Sequence, residues 1–226
     1  MNSILNIDTS TEKAFVAIGI GNEIGGVVFN ESQKDHAAFI QNAIETVCRE
    51  SNTSLDIIDA VAVTGGPGSY TGLRVGLATA KGLCYALNKP LIMLNTLKVM
   101  AASAIISEAG IESLLCPMID ARRMEVFTAL YNKQLANIML PAAMILESQS
   151  FEAVLEDHHV LFFGSGSTKW KSICNSQRAK FSVINLLPEA MNRLSMEAFS
   201  GANFAETAYS EPFYLKEFQT VTRSMS

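Results

Sequence analysis

The chain has 226 residues, of which 49% are apolar and 17% are charged, and its formal net charge is −5. The length allows one large or two small domains, and the composition predicts an ample core and a rather apolar surface, part of which meets protein. No basic run is longer than Arg122-Arg123, which disfavours a protein that binds nucleic acid alone, because phosphates need clustered Lys and Arg.

The first half, residues 1–109, predicts an α/β domain. Its strands are predicted at residues 4–9, 14–20, 25–30, 60–64 and 91–95, and its helices at residues 36–50, 71–88 and 97–108. The first three strands read as an antiparallel meander, and right-handed crossovers join the others. The helix at 36–50 is amphipathic, so its apolar face must be covered.

The segment between Asp59 and Leu83 joins a strand, a glycine turn and a helix of small residues. Inside this helix only Arg74 and Lys81 are charged, while small residues recur at spacing four despite a cost of about 1 kcal/mol per glycine relative to alanine. Something must therefore approach the helix closely. Two alternatives are a helix of another chain and the sheet of the same domain. A phosphate is a third, although the turn has no G-x-G-x-x-G fingerprint.

The second half, residues 110–226, predicts a smaller α/β domain. Strands are predicted at residues 114–119, 125–131, 160–163 and 181–185, and helices at residues 147–157 and 189–208. The last helix has a core-facing apolar stripe and is a candidate for packing back on the first domain. The tail from Glu211 is predicted to be extended. Gly164-Ser165-Gly166 after a strand is either a remnant adenosine loop or a turn with a helix cap.

Cysteine usage and hydropathy predict a cytoplasmic protein. The four cysteines form no C-x-x-C pair and each lies in an apolar segment, so buried free thiols are expected: Cys48, Cys84, Cys116 and Cys174. The sequence starts on a strand pattern without a charged leader, and the best apolar run, at 138–146, is short and contains Pro141. We therefore expect neither export nor a membrane span.

Four segments together resemble the TsaB (YeaZ) family: ILNIDTST, GGPGSYTGLRVGLATAKGL, PMIDARRMEVFTALY and EPFYLKE. They extend over nearly the whole chain. The resemblance implies a two-lobed, ribonuclease H-like fold related to actin, sugar kinases and the Hsp70 ATPase. It also implies that the chain acts together with a larger paralogue, TsaD, and with an ATPase subunit, TsaE. Together with a separate adenylate-forming enzyme, these proteins would install threonylcarbamoyl on the adenosine following the anticodon in ANN-decoding tRNAs.

The resemblance also predicts that this chain is not the catalytic subunit. TsaD carries two metal-binding histidines separated by three residues after a similar glycine helix, and Thr96 and Met100 stand at those places here. Neither a hydroxyl nor a thioether replaces imidazole on a catalytic metal. No H-E-x-x-H occurs, so the peptidase activity suggested by older names of this family finds no support. His36 resembles the histidine of an HSE-type segment in relatives, but Ala37-Ala38 follow it, and its role stays open.

A nucleotide is the one cofactor that the sequence leaves open. The candidate contacts are Asp8, Thr9, Ser10, Gly65 and Gly66. A carboxylate with two hydroxyls after the first strand suits Mg²⁺ and phosphate, but an Asx-type turn explains the same residues. We therefore predict no required cofactor, and ATP or ADP binding remains an alternative.

The preferred hypothesis is a non-catalytic scaffold that pairs with TsaD through the helices at 36–50 and 71–88. The predicted interface residues are Phe39, Ile40, Ala43, Ile44, Val47, Gly72, Leu73, Val75, Gly76, Thr79, Ala80 and Leu83. tRNA would be bound only through the complex, and the isolated chain could pair with itself through the same surface. The competing hypothesis is an autonomous ATPase or small-molecule kinase in which Asp8 positions Mg²⁺.

Overall fold

A computed structural model describes residues 1–31, 36–108, 110 and 112–215. The first half contains β1 (Ser3–Asp8), β2 (Ala14–Ile20), β3 (Glu23–Asn30), α1 (His36–Glu50), β4 (Ala60–Gly66), α2 (Tyr70–Leu87), β5 (Leu91–Asn95) and α3 (Thr96–Ser107). Its sheet has the order β3-β2-β1-β4-β5. β1 pairs antiparallel with β2 and parallel with β4, and β4 pairs parallel with β5.

The second half repeats this topology. It contains β6 (Leu114–Asp120), β7 (Glu125–Tyr131), β8 (Asn137–Ile145), α4 (Glu152–Asp157), β9 (Val160–Phe163), α5 (Ser167–Lys171), β10 (Ala179–Phe181) and α6 (Pro188–Ser200). The sheet order β10-β9-β6-β7-β8 matches the first sheet strand for strand, with an antiparallel meander followed by two parallel strands. The predicted α/β class with two mixed sheets and flanking helices is confirmed.

One of the three hydrophobic clusters of the described structure contains residues of both halves, whereas the other two lie mainly within one half each. α3 packs on α6 and on β6 of the second sheet, while α6 packs on β1, β3 and β5 of the first. A buried polar network fixes α6 in place, because the Ser195 hydroxyl donates to Asn6 Oδ1 (2.8 Å) and the Asn192 amide donates to the Gly21 carbonyl (3.0 Å). Each half thus contributes a helix to the packing of the other.

Several predicted elements need correction in the second half. β8 was missed because Pro141 interrupts an apolar run, yet β8 is an edge strand in the described part of the chain, where a proline is tolerated. The helix predicted at 147–157 begins only at Glu152, and the helix predicted at 189–208 ends at Ser200. The strand predicted at 181–185 is observed as β10, which ends at Phe181. α5 follows the Gly164-Ser165-Gly166 turn, where the sequence predicts a helix cap as one of two alternatives but gives no bounds for the helix.

The C-terminal segment returns to the first half. The Ala205 N–H donates to the Leu91 carbonyl (2.8 Å), and the Phe213 N–H donates to the Gly65 carbonyl (2.7 Å). The predicted extended tail agrees as far as residue 215, and residues 216–226 lie outside the described part, as does the proposed domain boundary at Ala109. Within the described residues, no helix combines the length and the apolar character needed to cross a membrane.

Candidate functional site

α1 turns most of its predicted interface residues inward. Ile40, Ala43, Ile44 and Val47 are buried in the core between α1 and the first sheet. Their periodicity is that of a helix covering its own sheet. The prediction that these four residues form an intermolecular surface is therefore wrong, and of the α1 candidates only Phe39 is partly exposed.

The glycine stripe of α2 also faces inward. Gly72, Leu73, Gly76 and Ala80 are buried, and a methyl group at Gly72 would overlap the carbonyl oxygen of Thr9. The Thr9 hydroxyl donates to the Gly72 carbonyl at 2.7 Å. Close packing on the turn after β1 thus accounts for these residues, and their assignment to a partner interface is corrected.

The opposite face of α2 is a solvent-exposed surface without charge at its centre. We define the outer α2 surface by its exposed and partly exposed residues: Val75, Ala78, Thr79, Gly82, Leu83, Tyr85 and Ala86. Tyr85 is 88% exposed. A side chain at Gly82 would meet no atom within 4 Å, so nothing in the described chain requires a glycine there. Three predicted interface residues, Val75, Thr79 and Leu83, belong to this surface.

The charged side chains of α2 are held by the C-terminal segment. Lys81 Nζ donates to the carbonyls of Ala208 (3.1 Å) and Ser210 (3.0 Å). Arg74 lies over the Tyr70 ring, 4.1 Å from its centre, and its Nε donates to the Tyr214 hydroxyl at 3.1 Å. Both cations of α2 are thus engaged by the C-terminal segment, and the outer α2 surface as defined contains no charged residue.

A second candidate site is the turn after β1. The Ser10 N–H (3.1 Å), the Ser10 hydroxyl (2.6 Å) and the Thr64 hydroxyl (2.6 Å) all donate to Asp8 Oδ1. Asp8 Oδ2 is buried and has no partner in the described structure. Burial raises the pKa of the Asp8 carboxyl above its ordinary value, and the hydrogen bonds from Ser10 and Thr64 and the nearby His36 offset only part of this rise.

Asp8 lines a cleft of about 800 Å³ between the two halves. Ser10, Gly68 and Ser69 lie beside it on the first-half wall, and Gly164 and Ser165 lie on the second-half wall. The other nucleotide candidates are placed elsewhere. Thr9 is engaged with Gly72, while Gly65 and Gly66 contact the backbone of Phe213, so the structure brings only Asp8 and Ser10 of the predicted set to the cleft.

The two positions at which the resemblance implies histidines in the catalytic paralogue, Thr96 and Met100, lie at the start of α3. Thr96 is its first residue and is buried, and Met100 forms part of the cleft wall. Within the described ranges, no group of three or more His, Cys, Asp or Glu side chains could hold a metal ion.

The Gly164-Ser165-Gly166 segment is a turn into α5, closed by the Ser167 hydroxyl donating to the Gly164 carbonyl (2.8 Å). Cys84 and Cys116 are buried free thiols, and Cys48 and Cys174 are free and partly buried.

Comparison with known proteins identifies the family. Residues 11–205 match the family model described as TsaD: tRNA N6-adenosine threonylcarbamoyltransferase. The tRNA threonylcarbamoyladenosine biosynthesis protein TsaB of Escherichia coli is 30% identical, with 94% of each chain covered, and TsaB of Bacillus subtilis is 27% identical over 88% of this chain and 86% of that protein. YeaZ from Pseudomonas aeruginosa has the same fold, with 22% identity, a TM-score of 0.79 and coverage of 95% of this chain and 100% of the other. The chain therefore belongs to the TsaB (YeaZ) family.

Proposed function

We propose that this chain is a non-catalytic subunit of the system that makes threonylcarbamoyladenosine in tRNA, acting in the cytoplasm. It pairs with TsaD and supports transfer of threonylcarbamoyl to the adenosine following the anticodon in ANN-decoding tRNAs. The name that its relatives carry, tRNA threonylcarbamoyladenosine biosynthesis protein, supports the pathway. The outer α2 surface is the observation that supports pairing.

An exposed glycine in the middle of a helix costs stability and must be explained. Gly82 lowers helix stability by about 1 kcal/mol relative to alanine, and no contact within the described chain compensates for it. A second helix packed at that point would compensate, since the absence of a Cβ lets two backbones approach closely. Tyr85, one turn away, belongs to a residue type enriched among the energetically dominant residues of interfaces.

TsaD is a suitable partner for this surface because the two proteins are related. This chain matches the TsaD family model over residues 11–205, so TsaD is expected to carry similar helices at the same place. Two related surfaces can pair across an approximate two-fold axis, with α1 and α2 of each protein forming four packed helices. Self-pairing through the same surface is the corresponding expectation for the isolated chain.

The partner would supply the chemistry. Thr96 and Met100 offer no imidazole at the places where TsaD carries its metal ligands, which supports a non-catalytic role. The net charge of −5 disfavours tRNA binding by this chain alone, so tRNA would be held through the complex. TsaE, the ATPase subunit implied by the family, would join the pair without needing a nucleotide in this chain.

Light-scattering chromatography of the chain mixed with TsaD tests this proposal. Gly76→Leu is unsuitable because Gly76 faces the core. Gly82→Leu adds a side chain to the outer α2 surface, and an overpacking cost of about 1–3 kcal/mol corresponds to about 5- to 150-fold weaker pairing. Ala153→Leu makes a similar addition to exposed α4 and serves as the control. We expect wild type and Ala153→Leu to form a mixed species that Gly82→Leu loses, with all three equally folded. Wild-type pairing by Gly82→Leu would refute this interface.

The autonomous ATPase remains the alternative because Asp8 lines the cleft. In that reading Asp8 positions Mg²⁺, so Asp8→Asn should abolish ATP hydrolysis that the purified wild type performs alone. Absence of hydrolysis by wild type, measured as phosphate release with TsaD omitted, removes this alternative.

A further inference from the structure

The two halves of the molecule each place an aspartate at the same point of their sheets. Asp8 ends β1 and Asp120 ends β6, and these are the central strands of two sheets with the same strand order. Both residues line the cleft between the halves. The two carboxylates therefore occupy corresponding positions on opposite walls of one cavity.

Asp120 is neutralised by a lysine of its own half. Lys169 Nζ lies 2.6 Å from Asp120 Oδ1 and also donates to the Glu125 carbonyl at 3.1 Å. Burial raises the pKa of Asp120, but the hydrogen bond from Lys169 and that from the Arg122 N–H bring it below the ordinary value. Lys169 is the third residue of α5, which starts after residues 164–166 that follow β9.

Asp8 has no such lysine, because the corresponding position is a glycine. Residues 67–69 separate β4 from α2, the same spacing as between β9 and α5, and the third residue of α2 is Gly72. No side chain fits there, since even a methyl group would overlap the Thr9 carbonyl oxygen. Asp8 Oδ1 has only the neutral donors of Ser10 and Thr64, and Oδ2 has no partner within the described residues.

The charges around the cleft include no lysine or arginine paired with Asp8 in the described part of the chain, although the nearby His36 lowers the pKa of Asp8. The cleft lining includes four acidic side chains, Asp8, Glu12, Glu31 and Asp120, and two basic ones, Lys13 and Arg122. Lys13 pairs with Glu31 at 2.6 Å, and Arg122 lies on the second-half wall. Asp120 is likewise paired with Lys169, so Asp8 and Glu12 against Arg122 leave a small acidic excess among the described lining residues. This excess opposes a phosphate-bearing ligand and favours a positively charged one.

The rest of the cleft wall is apolar. Phe15, Met100, Ile119, Phe127 and Leu186 all contribute to it, and the volume of about 800 Å³ is in the usual range for a small-molecule site. A bare metal ion is disfavoured, because in residues 1–31, 36–108, 110 and 112–215 no group of three or more His, Cys, Asp or Glu side chains suits it.

We propose that the cleft binds a small organic cation. Its ammonium group pairs with Asp8 as the Lys169 ammonium pairs with Asp120, and its apolar body lies against the side chains of Phe15 and Phe127. Asp8 Oδ2 is covered in the described structure, so binding includes a small movement of the turn at Asp8 and Ser10. The site is independent of pairing with TsaD and can be tested on the chain alone.

Titration of the isotope-labelled chain by two-dimensional NMR tests the site, with n-hexylammonium as the probe and n-hexanol as its neutral counterpart. We expect hexylammonium to bind at least about tenfold more tightly than hexanol, shifting residues at Asp8 and Phe127. Asp8→Asn should reduce its affinity to that of hexanol, whereas Glu156→Gln, which neutralises an exposed carboxylate of α4 outside the cleft lining, should retain wild-type affinity. Equal affinities for the two probes, or equal losses in both variants, would overturn the proposal.

Two further arms need no variant and keep the test decisive if Asp8→Asn does not fold. Hexylammonium affinity of wild type should rise with pH as Asp8 loses its proton, while hexanol affinity stays flat. The other charged or titratable groups that face the cleft are Glu12, Lys13, Glu31, Tyr70, Asp120 and Arg122, with His36 nearby. All of them are present in both the hexylammonium and the hexanol titrations. Saturable binding of MgCl₂ or ADP at the same residues, with no preference for hexylammonium, would instead assign the cleft to a metal ion or a nucleotide.

Discussion

The inward glycine stripe of α2 makes a strong prediction for Gly72→Ala. The new methyl group would overlap the Thr9 carbonyl oxygen, a main-chain atom that cannot turn aside as a side-chain end can. Overpacking of this kind costs about 1–3 kcal/mol. Separating α2 from the turn also weakens the 2.7 Å hydrogen bond from the Thr9 hydroxyl to the Gly72 carbonyl, a further loss of about 1 kcal/mol. Alanine has a better helix propensity than glycine, which offsets about 1 kcal/mol of this cost. The net loss in the free energy of unfolding of Gly72→Ala is therefore about 1–3 kcal/mol.

Urea unfolding followed by circular dichroism measures this loss, with Gly82→Ala as the matched control on the same helix. Gly82 is open to solvent, so alanine there gains helix propensity without a clash and should stabilise the chain by about 1 kcal/mol. The two variants should therefore move the urea midpoint in opposite directions. A Gly72→Ala protein as stable as wild type would refute the close-packing explanation of the stripe.

Three other predictions concern buried groups. Thr64→Val removes the 2.6 Å hydrogen bond to Asp8 and should lower the free energy of unfolding at pH 7 by about 1–3 kcal/mol, measured by urea unfolding. Because the pKa of Asp8 is raised from 3.8, the folded state holds this proton more tightly, so its contribution to stability is complete below about pH 4 and is lost as pH rises through the raised pKa. Asp8→Asn should flatten that part of the pH–stability curve, and an unchanged curve would contradict the assignment. Burial raises the pKa of Cys84 to about 11 and of Cys116 to about 12, so a thiol reagent at pH 8 should modify them only after unfolding.

Hydrophobic periodicity was enough to predict most of the fold. In the first half every element was found within two residues of its observed ends, including Asn88 as the end of α2, where it adopts the left-handed conformation. The elements of the first half are long enough for the spacing of their buried apolar residues to distinguish a strand from a helix, and this spacing can be read directly from the sequence. The second half was harder because its elements are short, and β8 was hidden by Pro141, whose effect depends on whether the strand lies at a sheet edge.

The functional surfaces were predicted less completely, for a different physical reason. A stripe of small residues permits close approach from either side, and only the position of Thr9 shows that Gly72 and Gly76 face their own domain. The pairing of Asp120 with Lys169 spans 49 residues and has no local pattern. Its one signal was an aspartate at the end of the first strand of each half, which becomes meaningful only when the repeated topology is recognised.

The most direct test of the central claim is transfer of threonylcarbamoyl to an ANN-decoding tRNA in a reconstituted system containing TsaD, TsaE and the separate adenylate-forming enzyme. Labelled product should require this chain, and Gly82→Leu should lose both the mixed species with TsaD and the transfer, while Ala153→Leu retains both. Full transfer by Gly82→Leu, or by the mixture without this chain, would contradict a role through the outer α2 surface.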